Sequence, residues 1–244
     1  MEEAARGAAE PRGVDAGRGV NWWNEAWALF MKNPGMWIVL ALILLVILVV
    51  LSVIPLLGSL AASLLFPVFA GGWMLAARKL ETGGALEVGD LFVGFKGDKL
   101  TPLLVLGGLL LVATVLIVLA AGALGFGAVM GTMAGGAHRS AGGMLAAMGA
   151  GMLALLVGMA LGLLVAMALW FAPALVVFRN VAPVDALKAS LSASLKNFMA
   201  FLLYGVIYLI AAIIASIPFG LGWVVLAPVV LLTVYVSYKD VFGE

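Results

Sequence analysis

The sequence predicts an all-α, polytopic membrane protein with six transmembrane helices, and three observations carry that prediction. Hydrophobic residues make up 65% of the chain and charged residues only 10%, whereas a soluble domain is about 45–50% apolar and about 25% charged. Four long stretches hold no ionised side chain: 45 residues between Lys32 and Arg78, 39 between Lys99 and Arg139, 39 between Arg139 and Arg179, and 42 between Lys196 and Lys239. One span needs about 20 apolar residues, so the first and last stretches each hold two spans and the middle two hold one each. Finally, a soluble helical core would require polar faces on these segments, and the mean hydropathy of +1.23 leaves none.

Taken in order, residues 1–19, "MEEAARGAAEPRGVDAGRG", are small and polar and read as a disordered tail. No apolar run suited to a cleaved signal peptide precedes Trp22, so the first span is expected to act as its own insertion signal. A single six-helix domain over 20–240 follows, then a short tail at 241–244. In "NWWNEAWALFMKN", Trp23, Trp27, Phe30 and Met31 share one helical face and Asn21 is placed to cap it. This is expected to be an interfacial helix with its apolar face against the bilayer. Val184, Leu187, Leu191 and Leu195 make a similar stripe in "PVDALKASLSASLKN", behind Pro183 in a first helical turn.

The predicted spans are Met36–Val53, Leu57–Ala77, Leu100–Gly122, Gly151–Phe171, Phe198–Ser216 and Leu221–Tyr238. Prolines mark a repeat among them. Lys32-Asn33, a span, Ile54-Pro55, Pro67 and Arg78 run parallel to Lys196-Asn197, a span, Ile217-Pro218, Pro228 and Lys239. A looser third copy lies between, with Pro173 in "WFAPALVV". The repeating unit is an interfacial helix followed by a helical hairpin, and Pro67, Pro173 and Pro228 are expected to kink the returning spans. Of 13 Lys and Arg residues only Arg139 falls on the side of the short turns, so the positive-inside bias puts both termini in the cytoplasm.

Candidate sites are few. Ala150, Ala154, Gly158, Gly162 and Ala166 place small residues at every fourth position, a packing seam for a neighbouring helix or for a second copy. The Gly- and Met-rich segment "GFGAVMGTMAGGAHRSAGG", with His138 and Arg139, reads as a flexible outer loop, part of it open to helix through the four-residue step of Gly127, Gly131 and Gly135; one His among thioethers does not define a metal geometry. Tyr204 and Tyr208, one turn apart, and Thr114 are the polar groups that could line an intramembrane site or bond carbonyls freed by the prolines. With one His and no Cys, and no Gly-x-Ser-x-Gly, HExxH or Walker loop, the chain has no catalytic signature. No cofactor or metal is expected, and a net charge of +1 gives no case for nucleic acid.

The stretch "IPLLGSLAASLLFPVFAGGWMLAARKLETGGALEVGDLFVGF" (54–95) resembles a family of uncharacterised multipass inner-membrane proteins found mainly in proteobacteria, through P-L-L-G, P-V-F-x-G-G and L-F-x-G-F. The span layout is also similar to the membrane domain that precedes the catalytic domain in some bacterial glycerophosphodiester phosphodiesterases. The resemblance implies a bacterial inner-membrane protein and supplies no functional residues. A non-enzymatic scaffold or accessory subunit, working with the lipid bilayer and with a membrane-protein partner or a second copy, fits best. A transporter or small channel for a neutral or lipid-like substrate is the alternative, since ionisable residues that usually mark a pathway are missing from the spans.

Overall fold

The computed structural model describes residues 10–134 and 140–243. Among these residues all regular structure is helical: α1 (Arg18–Met31), α2 (Pro34–Ser52), α3 (Leu57–Glu81), two 3-10 segments (Val88–Phe95 and Gly97–Lys99), α4 (Leu100–Ala134), α5 (Ala141–Trp170), α6 (Ala172–Arg179), α7 (Pro183–Lys196), α8 (Phe198–Ser216) and α9 (Trp223–Phe242). Six of these regions are long and apolar enough to cross a membrane, one each at α2, α3, α4, α5, α8 and α9. Where the sequence suggests a single domain, the packing forms two compact units, one of residues up to Gly108 and from Met167 onward, the other Leu109–Ala166.

The first unit holds the core. Its large, fully buried side chains include Trp22, Trp37, Trp73, Tyr235 and Tyr238. Around them, Val46, Val50, Ile210 and Ile213 stay exposed, as befits helices whose outer surface meets acyl chains rather than water.

The transition into α2 follows the sequence closely. Asn33 caps the helix by accepting a hydrogen bond from the Met36 amide at 3.2 Å, with Pro34 in the first turn. The turns after α2 and α8 also match each other. In Ile54-Pro55-Leu56 and Ile217-Pro218-Phe219 the residue after the proline takes positive φ, 62° at Leu56 and 53° at Phe219. Non-glycine residues seldom adopt that region.

α3 runs through Pro67 and α9 through Pro228, both buried. Pro173 behaves differently from the expected mid-span kink. The helix ends at Trp170, and Pro173 lies in the first turn of the separate helix α6. A proline cannot donate to the carbonyl four residues back, and here the chain restarts instead of bending.

The quoted motifs acquire a structural meaning in this unit. Gly72 of P-V-F-x-G-G and Gly94 of L-F-x-G-F are where the first 3-10 segment docks on α3, whereas Gly71 faces the Leu103 and Val177 side chains. A Cβ on Gly72 would lie 2.4 Å from the Leu91 carbonyl oxygen, and one on Gly94 would lie 2.2 Å from that of Val68. Phe69 completes the contact, edge-on to Phe92 at 6.1 Å and Phe95 at 5.1 Å. The two motifs are thus opposite sides of one joint.

Four expectations need correction. Residues 10–19 are not a loose tail: α1 begins at Arg18, one turn before Asn21, which therefore sits inside the helix and does not cap it, while residues 1–9 lie outside the described residues. At the other end Val241 and Phe242 are buried residues of α9, not a tail. The segment expected as an outer loop is largely helical, with α4 reaching Ala134 and α5 starting at Ala141. Its alanines and methionines favour a helix, and each interior glycine costs only about 1 kcal/mol. His138 and Arg139 lie outside the described residues.

The amphipathic helices pack on the protein through faces other than the stripes expected against the bilayer, Phe30 excepted. α1 buries Trp22, Ala26, Leu29 and Phe30, while Trp27 and Met31 of the expected stripe are exposed. α7 buries Ala186, Ser190, Ala193 and Ser194 and leaves Val184 and Leu195 exposed.

Within the second unit, α5 meets α4 through the predicted small residues. Ala154 is buried with its Cβ 3.9 Å from where a Cβ on Gly125 would lie, and a Cβ on Gly158 would lie 3.6 Å from Ala121. Ala150 and Gly162 are half-buried and Ala166 is exposed.

Candidate functional site

Three groups of polar side chains in the first unit join helices distant in sequence: a pair deep between α8 and α9, a clasp at the charged ends of α1 and α9, and a serine bridge at the end of α5.

The deep pair is Tyr204 and Thr233. Both are buried, and their hydroxyls share a hydrogen bond at 3.0 Å. Thr233 also lies 2.6 Å from the Val230 carbonyl of its own helix. The Tyr204 ring is boxed by Trp23, stacked at 5.1 Å, and Trp170, edge-on at 5.3 Å. The Trp23 indole donates to the Tyr204 carbonyl at 3.4 Å. The predicted trio is not assembled. Tyr208 is half-buried with its ring edge-on to Trp223, and the Thr114 hydroxyl, in the second unit, donates to the Leu110 carbonyl one turn back. Of the three, Tyr204 alone has a polar side-chain contact to another helix, and its partner is Thr233, not a carbonyl freed by proline.

The clasp joins both ends of the described chain. One Asp240 oxygen accepts from Arg18 Nε at 2.6 Å and from the Trp22 indole at 2.8 Å. Partial burial works against the Arg18 charge, but the hydrogen bond and charge of Asp240, followed by Glu25, prevail and raise its pKa above the ordinary arginine value. Asn197 is buried at the position that repeats Asn33, yet its side chain does other work. Its oxygen accepts from the Val14 amide at 2.7 Å and its nitrogen donates to the Arg12 carbonyl at 2.9 Å. The Arg12 amide donates to the Val241 carbonyl at 2.8 Å. Nearby, Glu81 accepts from the Tyr235 hydroxyl at 2.7 Å and pairs with Lys239, tying α3 to α9.

At the serine bridge, Ser190 accepts from the Phe171 amide at 2.9 Å and donates to the Met167 carbonyl at 2.8 Å, with Ser194 reaching the same carbonyl at 3.2 Å. Sequence reasoning passed over Asp240, Ser190 and Ser194, and read Asn197 only as the repeat of Asn33. The available signal was the Ser190/Ser194 spacing of one turn, about a quarter-turn around α7 from its leucine stripe.

No His/Cys/Asp/Glu group with metal-holding geometry occurs among the described residues. An apolar groove of about 510 Å³ lies along α8 and α9 beneath α1, lined by Trp27, Ala211 and Val225 among others.

Six apolar helices with almost all charge at their ends define a multi-pass helical membrane protein. The chain is 30% identical to a "probable inner membrane protein" of Burkholderia thailandensis over 221 residues, covering 86% of this chain and 78% of the relative. It belongs to the family of that protein. No family model matches the chain, and no solved structure matches it; the likeness to phosphodiesterase membrane domains finds no counterpart in these comparisons.

Proposed function

We propose that this protein is a non-enzymatic scaffold or accessory subunit of the bacterial inner membrane, with both termini in the cytoplasm and three tandem units of amphipathic element plus hairpin. The observation that carries this reading is the clasp. Arg18, Trp22, Asn197 and Asp240 bind the N-terminal segment, α1, α8 and α9 into one bonded platform at the charged end. Deep in the bundle, Tyr204 and Thr233 are engaged with each other, which suits a fixed structure. The matching positive-φ turns at Leu56 and Phe219 support the tandem units. The relative's description as an inner-membrane protein supports the location.

The test is extraction of the tagged protein with its native lipid and mass spectrometry of what is retained. The scaffold reading expects a membrane protein held in fixed ratio through successive washes. A single small molecule, lost when Tyr204→Phe and Tyr208→Phe are introduced, would replace it with transport. That second reading, for a neutral or lipid-like substrate, is favoured by the apolar groove.

A further inference from the structure

We infer that Met133, Met144 and Met148 form a thioether site for a soft monovalent cation, Cu(I) or Ag(I), on one face of the α4–α5 hairpin. The site lies wholly within the second unit and is independent of the scaffold reading.

The packed register brings the three together. Gly125 faces Ala154 and Gly158 faces Ala121, with would-be Cβ atoms at 3.9 and 3.6 Å. A step of four residues up α4 thus matches a step of four down α5, as antiparallel neighbours require. Carried on toward the turn, the register sets Met133 level with Ala146, midway between Met144 and Met148. The helices stay packed at this level, since Gly143 is buried and Ala147 half-buried. Met133 lies about 100° round α4 from the contact line, and Met144 and Met148 lie about 60° and 100° round α5 in the same sense. Because the two helices run in opposite directions, these offsets fall on one face. Met144 and Met148 stack one turn apart, with Met133 across from the gap between them. All three side chains are exposed, and each is unbranched and flexible enough to turn its sulfur toward a shared point. Met130 and Met152, roughly 160° and 140° round their helices, lie off that face.

Helix length places the trio in reach of aqueous ions. About 50 Å of α4 separates Met133 from Leu100 at the charged end. The hydrocarbon core is roughly 30 Å deep, so even a tilt of about 40° leaves this end beyond it. The donor set then selects the ion. Thioethers suit Cu(I), whereas carboxylates and waters suit hard cations. No carboxylate occurs between Asp98 and Asp185, and the chain has no cysteine. Methionine is also concentrated here: α4 has none from Leu100 to Val129, then two at 130 and 133.

The test titrates the full chain in nanodiscs with Cu(I), buffered by a chromogenic chelator under anaerobic conditions. A single Cu(I) per chain is expected, displaced by Ag(I) and not by Zn(II). Met144→Leu keeps the volume and should weaken binding at least tenfold, no less than loss of an outer partner costs a metal site. Leucine at all three positions should abolish binding, while Met130→Leu and Met152→Leu leave it unchanged. If the variants do not fold, the wild-type chain decides. Ag(I) should protect Met133, Met144 and Met148 from peroxide oxidation to the sulfoxide and leave exposed Met31 as reactive as before. No binding, binding that survives the triple variant, displacement by Zn(II), or equal protection of Met31 overturns the site.

Discussion

The Ser190 hydroxyl stands in for the hydrogen bond between Phe171 and Met167. In an unbroken helix the Phe171 amide would donate to the Met167 carbonyl. Here it donates to Ser190 at 2.9 Å, and Ser190 donates onward to that carbonyl at 2.8 Å. A break near the membrane end of a long helix is thereby satisfied by a side chain from α7, and α7 is tied to the end of α5.

The two serines differ in what they leave behind. Ser190→Ala strands a buried amide, at a cost of about 1–3 kcal/mol. Ser194→Ala removes only a second donor from a carbonyl that Ser190 still serves, at about 0.5–1 kcal/mol. Thermal unfolding in mild detergent should therefore rank Ser190→Ala well below Ser194→Ala. Equal losses would mean that the bridge does not carry the break.

The joint between α3 and the first 3-10 segment makes a sharper prediction. Gly72→Ala and Gly94→Ala would each force a methyl against a backbone carbonyl, at 2.4 and 2.2 Å. Overpacking of this kind costs typically 1–3 kcal/mol, and backbone on both sides leaves little room to yield. Gly89, in the same segment, has nothing within 4 Å of its would-be Cβ, so Gly89→Ala should be close to neutral in the same unfolding measurement. Destabilisation by all three alike would put the cause in backbone conformation instead of close approach.

The contrast between α7 and its leucines shows what the sequence makes legible and what it hides. Span number, the helix entry at Lys32-Asn33 and the paired turns at Pro55 and Pro218 were readable, because charge-free length and proline are local signals. The buried faces of α1 and α7 were not. In water the large apolar stripe faces the core, but lipid rewards no such burial, and helices meet through small and hydrogen-bonding residues instead. Hence Ala186, Ser190 and Ser194 go inside while Leu195 stays out. In α1 a stripe beginning at Trp22 and another beginning at Trp23 have the same spacing, and only the packing against α8 and α9 selects the first. The clasp was hidden for a different reason: Asp240 and Arg18 are 222 residues apart, and no local pattern joins them.

Tyr204 should behave as a structural group. Tyr204→Phe keeps the ring among Trp23 and Trp170 and removes one hydroxyl, and Thr233 retains the Val230 carbonyl. A loss of about 0.5–1.5 kcal/mol is expected, with Tyr208→Phe smaller. Differential scanning of both variants in detergent checks the order. A larger effect from Tyr208 would return it to the centre of any intramembrane site.

The proposed orientation is open to direct labelling, because the chain has no cysteine. A cysteine replacing Ser140, before α5, should react with an impermeant maleimide added outside intact spheroplasts. One replacing Thr82, exposed after α3, should react only after the membrane is opened. The reverse pattern would invert the protein and place the clasp outside.

Asp240 tests whether the clasp holds α1 in place. Its Oδ2 serves both Arg18 and Trp22, and its side chain is 21% exposed against 29% for Arg18. Hydrogen bonds to charged groups contribute about 1.5–3 kcal/mol. Solvent screening at that exposure brings the expected loss for Asp240→Ala to roughly 1–2 kcal/mol. Because the lost bonds all hold α1, the loss should appear as local opening of that helix rather than global unfolding. Amides of α1 should exchange about tenfold faster, with those of α3 unchanged. Asp240→Asn keeps an acceptor oxygen for the Trp22 indole and gives up the charge, so it should fall between wild type and alanine. The opposing possibility is that burial of Trp22 and the close approach of Gly19 to the Ala200 carbonyl suffice to hold the helix. In that case α1 exchange in Asp240→Ala would match the wild type, and the platform would rest on packing alone.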